Sequence, residues 1–425
     1  MNNSEQQKQF RRNRKRRFAD IRFRAYGIFG LIIAASALLF LLGNIFSTGY
    51  DAFRQTTVTL NFSLDTETLD INSAITPETL LEANTLKAVK RGLYEIFPDV
   101  KKRKDKKALY KILSPGAELK LLDYIVKNPE AIGTSLSLSV PLSSDADQYY
   151  KSMPHSKIFK SRLSKKQQQW FSTLLDKKKV TLQFSTDFFT NADSRYPELA
   201  GIGGAIIGSV YTLLICLLIA FPIGVSTAIY LEEFSGDTWI TRIIEANINN
   251  LAAVPSVIFG LLGLAIILNI FGMPRSTSLA GGIVLSLMTL PTIIIACRSA
   301  IKAVPPSIRE AGLAMGASPV QVVLHHVLPA SLSGTLTGTI IGLAQALGET
   351  APLLMIGMVA FIANKPTSPT DPSTVLPVQI YLWAESAERG FVEKTAAAIM
   401  VIIVFLIAMN ILAVFIRQHT RQLNK

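Results

Sequence analysis

The chain has 425 residues, of which 49% are hydrophobic and 17% charged, and its formal net charge is +13. Apolar content this high, divided into long charge-free stretches between Lys- and Arg-rich segments, excludes an ordinary soluble enzyme and makes the bilayer the expected solvent. Nine of the 43 Lys and Arg residues lie in the first 24 positions, beside an apolar span. That placement points to membrane topology and lipid headgroups as the partner, with no nucleic-acid module in evidence.

Residues 1–25 therefore read as a basic cytoplasmic N-terminus, and residues 26–46 as the first transmembrane helix. Tyr26 to Phe46 is 21 residues without a charge, roughly 31 Å of helix at 1.5 Å per residue, enough for the hydrocarbon core. The stretch is longer than a signal-peptide core and ends without an A-x-A pattern, so an uncleaved anchor is expected.

Residues 47–200 are too long for a structureless loop and read as an extracytoplasmic α+β domain. Val58, Leu60, Phe62 and Leu64 alternate with polar residues, as do Leu136, Leu138, Val140 and Leu142, and Val180 to Phe184 reads as a third strand. VTLNFS at Val58 and VTLQFS at Val180 suit neighbouring strands that leave and rejoin the membrane, or a chance likeness. Thr76-Pro77-Glu78 reads as the start of one helix that ends near Phe97-Pro98. The run Lys101 to Lys107 is either a patch steering an anion or an acidic partner, or a solvated surface.

Five further apolar spans follow within a membrane domain over residues 201–417: about Ile202 to Leu231, Ile248 to Phe271, Leu279 to Cys297, Leu328 to Ile362 and Thr395 to Ile416. Six spans put both termini in the cytoplasm, together with Glu232 to Asn247, the segment between Arg298 and Val327, and the 418–425 tail. Cys216 and Cys297 fall inside spans and read as packing residues, and His155, His325, His326 and His419 lack the spacing of a metal site.

Between the fourth and fifth spans, residues 304–329 read as a helical hairpin. Pro305-Pro306 starts the first helix, Gly316 ends it, and Ser318 with Gln321 forms a capping box for the second. Glu310-Ala311-Gly312, Gly316 and Leu328-Pro329 keep the spacing of the cytoplasmic signature of ABC importer permeases, which the sequence resembles. Gly312 stands where that family usually has Ala, and His326 where it usually has Ile. The resemblance implies that the hairpin is the coupling helix that enters an ATPase cleft, with Arg309, Glu310, Ala311, Gly312 and Gly316 at the contact and Glu310 as the anchoring carboxylate.

A narrower resemblance lies in Ala346-Leu347-Gly348-Glu349-Thr350-Ala351-Pro352-Leu353-Leu354 and in Val254-Pro255-Ser256-Val257-Ile258-Phe259-Gly260. Both are similar to the phosphate importer permeases called PstA, over roughly residues 201–417. Relatives often carry an arginine where Gln345 stands. Arg298, Gln345, Glu349 and Thr350 are the candidate substrate path. An ionisable Glu349 within an apolar span needs a protein or water neighbour. It acts either as interhelical glue or at the path, with Arg298 as a candidate partner; Arg298 otherwise contacts the anion or snorkels to the interface. Pro222, Pro255, Pro291 and Pro352 mark expected breaks in the spans.

The expected fold is an all-α polytopic membrane protein of about six transmembrane helices, the type I ABC importer permease fold, with the α+β domain between helices 1 and 2. The resemblance implies a permease subunit of an ATP-driven phosphate importer in the bacterial inner membrane. Its partners would be a second, PstC-like permease, a PstB-like ATPase dimer, a PstS-like extracytoplasmic phosphate-binding protein and membrane lipids. No G-x-x-x-x-G-K-[ST] run occurs, so ATP and Mg would be bound by the ATPase, and no cofactor, metal or catalytic residue is expected in this chain. A permease for sulfate or molybdate, or a membrane sensor with a ligand-binding outer domain, are the rival readings.

Overall fold

The computed structural model describes residues 3–71, 77–153 and 161–423. A long helix, α1 (Asn3–Gly49), runs through the first apolar segment and a short 3₁₀ turn into strand β1 (Arg54–Ser63). The domain between the first two spans continues with α2 (Pro77–Leu81), α3 (Thr85–Ile96), α4 (Arg103–Tyr110), α5 (Gly116–Lys127), β2 (Ser135–Pro141), α6 (Ser144–Ser152), α7 (Lys165–Asp176), β3 (Val180–Phe184) and α8 (Asp187–Thr190).

The three strands form one antiparallel sheet in the order β2-β1-β3. Val58, Leu60, Phe62 and Leu64 are fully buried, because a period of two places alternate side chains on the helix-covered face. Val58 pairs with Val180, so the two similar segments are indeed neighbouring strands, one leaving α1 and the other returning to the membrane. Leu93, Leu121 and Phe171 complete this core.

The single helix expected up to Phe97 is instead two. Its expected cap, Thr76, lies outside the described residues, and the chain breaks after Leu81 because Asn84 caps a new helix by accepting a hydrogen bond from the Lys87 amide at 3.1 Å. The basic run is likewise divided. Lys106 lies over the Tyr94 ring, Asp105 pairs with Lys166, and the remaining lysines face solvent.

The membrane domain comprises α9 (Gly203–Ile229), α10 (Trp239–Ala252), α11 (Ser256–Leu262), α12 (Ser278–Lys302), α13 (Pro306–Ala314), α14 (Pro319–Val322), α15 (Leu328–Gly348), α16 (Ala351–Met355), α17 (Leu376–Ala384) and α18 (Gly390–Leu423). Among the described residues, five single helices are long and apolar enough to cross a bilayer, and the pair α10 and α11 makes a sixth span if counted together. That pair bends by 102°, where Pro255 cannot continue the helix before it. The straight span expected from Ile248 to Phe271 is thereby corrected, and much of the expected loop Glu232 to Asn247 is helical.

Two other expectations change. The span from Leu328 to Ile362 ends at Gly348, and α17 occupies part of the expected outer loop, its Leu376 and Trp383 packing with Phe188 and Phe391. Pro222 and Pro291 lie inside continuous helices, whereas Pro255 and Pro352 sit at helix starts. Cys216 and Cys297 are free and buried, each beside a threonine hydroxyl on a neighbouring helix.

Candidate coupling hairpin and substrate path

The hairpin folds as its sequence chemistry requires. Pro305 precedes α13 and Pro306 opens it, where a missing amide hydrogen costs nothing. Gly316 adopts φ +84°, a left-handed turn that a side chain resists. Ser318 and Gln321 form the expected capping box. Gly312 is buried against α14, and a Cβ added there would come within 2.9 Å of Val322. Two short helices thus close on each other without room for the alanine usual at this position.

Glu310, Ala311 and Gly316 are exposed, and Met315 is 77% exposed at the tip. The hairpin therefore presents a carboxylate beside apolar side chains on a projecting surface. Arg309 turns the other way. Its Nε donates to both oxygens of Glu233 at 3.1 Å, Nη2 donates to Glu233 Oε1 at 2.6 Å and to the Ile301 carbonyl at 3.1 Å, and Nη1 donates to the Val304 carbonyl at 2.8 Å.

Arg298 is corrected as a partner for Glu349. Its Nε donates to Glu232 Oε1 at 2.5 Å and its Nη2 to Glu245 Oε1 at 2.5 Å, while Lys302 lies 3.4 Å from Glu232. Gly338 of α15 packs on Ala296 of α12, so Glu349, eleven residues further along, lies roughly 16 Å beyond that level. Glu232, Glu233 and Glu245 were missed from sequence. The signal was present as a carboxylate pair at the end of an apolar span, facing the basic end of another.

Glu349 is also not inside a spanning helix. It follows α15 with extended backbone (φ −79°, ψ 121°), and Thr350 starts α16, its carbonyl accepting from the Leu354 amide at 3.0 Å. The two motifs carrying the narrower resemblance meet here. A Cβ at Gly260 would lie 2.7 Å from Pro352 Cα, so the bent α11 rests directly on α16. Ile341, Gln345 and Gly348 form an exposed stripe along α15, at helical spacing, that leads to half-buried Glu349 and Thr350. Among the described residues the Gln345 and Glu349 side chains have no hydrogen-bonding partner, and the four candidate path residues do not form one cluster.

This geometry defines a multi-pass membrane subunit with a projecting helical hairpin and a broken-helix region, the build of a transporter permease. Residues 220–422 match the family described as binding-protein-dependent transport system inner membrane component, and residues 11–158 match a domain of unknown function, DUF3333. The phosphate transport system permease protein PstA of Yersinia pestis is 32% identical over 213 residues, 50% of this chain and 71% of that protein. PstA of Haemophilus influenzae is 30% identical, covering 56% of this chain and 83% of its own length. The phosphate transport system permease protein PstC of Pasteurella multocida is 30% identical over 49% of this chain and 71% of that protein. Among solved structures, the inward-facing MetNI methionine ABC transporter aligns with TM-score 0.43 and 19% identity, covering 52% of this chain and 97% of that one. The chain belongs to the PstA-like ABC importer permeases of the binding-protein-dependent transport family. Such permeases are multi-pass inner-membrane subunits that work with a partner ATPase and a binding protein, and they are not themselves enzymes.

Proposed function

We propose that this chain is one permease half of an ATP-driven phosphate importer, with the second half supplied by a PstC-like subunit. The observation that carries the substrate is the likeness to phosphate transport permeases. A PstS-like protein delivers the anion from outside, and a PstB-like ATPase dimer binds ATP and Mg and receives Glu310 and the hairpin tip. Both termini and the hairpin lie in the cytoplasm, opposite the outer domain.

The stripe Ile341, Gln345 and Gly348 supports a path along α15. Gln345 offers amide donors to an oxyanion without adding charge, so cations on the other permease supply much of the attraction. Glu349, negative and half-buried, serves the path best with a cation of that second subunit beside it.

Restoring this chain to a bacterial strain deleted for it, with its partner genes intact, is expected to restore uptake of radiolabelled phosphate that excess sulfate and molybdate do not compete away. Uptake no greater than with an empty vector would reject the transport reading. Competition by sulfate would reassign the substrate.

A further inference from the structure

Arg309 sits one residue before the exposed Glu310, yet its guanidinium turns back to Glu233 and to the Ile301 and Val304 carbonyls. Two of its acceptors are carbonyl oxygens at the C-terminal end of α12, that of Ile301 in its last turn and that of Val304 just past it. The other acceptor is Glu233, only 9% exposed, on the π-helical turn Tyr230–Phe234 that extends α9. One planar guanidinium thus joins the hairpin to two membrane helices at once, a fork geometry that a lysine ammonium does not reproduce.

The neighbouring residue extends the junction. Glu232, also 9% exposed, accepts from Arg298 of α12, and Arg298 bonds in turn to Glu245 of α10. Three carboxylates, Glu232, Glu233 and Glu245, face three cations, Arg298, Lys302 and Arg309, so the group is balanced in charge. Because Glu232 and Glu233 share one turn, a shift of Arg309 reaches both α9 and the bent pair that begins with α10. That pair rests through Gly260 on Pro352, next to the Gly348-Glu349-Thr350 break.

We propose that the Glu233–Arg309 pair is the positioning strut that carries displacement of the hairpin to the ends of α9 and α10 during transport. The hairpin tip meets the ATPase, and the strut converts that push into movement of the helices flanking the substrate path. This inference rests on the transport reading above, and it predicts uncoupling rather than loss of assembly.

The test uses the complete complex, this chain with its partner permease, ATPase and binding protein, reconstituted in liposomes. ATP hydrolysis and phosphate uptake are measured together for Glu233→Gln, Arg309→Gln and the double variant. Each single change is expected to leave the ATPase co-purifying and hydrolysing ATP while phosphate moved per ATP falls at least tenfold. The double variant is expected to fall no further than the worse single, because the two residues act through each other. An unchanged transport ratio, or losses that multiply in the double variant, would overturn the strut. If Glu233→Gln fails to assemble, Glu233→Asp decides, since it keeps the charge and shortens the reach by one methylene. A two- to threefold lower ratio in an intact complex is then expected, and a parental ratio overturns the proposal. Failure of the unaltered complex to move phosphate would instead reject the transport reading.

Discussion

Glu198, only 7% exposed where the inserted domain meets the membrane domain, is a single buried carboxyl from which a pH response is expected. Burial first, and then the Asp147 carboxylate, push its pKa above the usual range, against hydrogen bonds from Ser114 and the backbone. A carboxyl raised on folding stabilises the fold while protonated and loses that contribution as pH rises through the folded value. Glu198→Gln is therefore expected to raise the unfolding midpoint of the purified chain in detergent near pH 8, and the gap to wild type should narrow toward pH 5. A lower midpoint for the variant near pH 8 would contradict this account. At this scale the sequence was legible where the chemistry is local: Gly316, Ser318 and Gln321 take their expected roles because turns and caps depend on neighbours alone. The partner of Arg298 was not legible, because spacing along a chain does not reveal which helices end at the same height.

Among the elements, the strands and the hairpin were readable from period and capping, whereas the bent pair was not. Ile248 to Phe271 carries no charge, and composition reports burial in lipid without reporting direction. Pro255 permits the bend, and contact with α16 selects it. The same limit applied to Glu349, which looked like a charge inside a span and instead follows its end. The close approach of α11 to α16 gives a sharp prediction. Gly260→Leu would press on Pro352 Cα and Met355 Cβ, which lie 2.7 and 2.9 Å from an added Cβ. Overpacking of this kind costs about 1–3 kcal/mol. Phosphate uptake is expected to fall at least tenfold with the chain still present in the membrane by immunoblot, and Gly260→Ala should be milder. Uptake at the wild-type rate in Gly260→Leu would show that this contact does not matter for transport.

At the scale of the whole molecule, a folded domain is inserted between the first two spans and clamped to the last. Gly49 of α1 packs against Ala396 and Ala397 of α18, and Lys151 of α6, paired with Asp147, reaches Glu393 of α18. Lys151 is held protonated although its burial opposes the charge, because two carboxylates face it. The general plan of anchor, folded insert and five-span membrane domain was visible in hydropathy and strand period. How the insert seats on the membrane domain was not, because it depends on side chains more than two hundred residues apart. The most direct measurement of the central claim is ATP-driven accumulation of labelled phosphate in liposomes containing this chain with its permease, ATPase and binding-protein partners. Accumulation that requires ATP, ignores sulfate and disappears with Glu310→Ala is the expected result. ATP-independent accumulation, or an unimpaired Glu310→Ala complex, would contradict it.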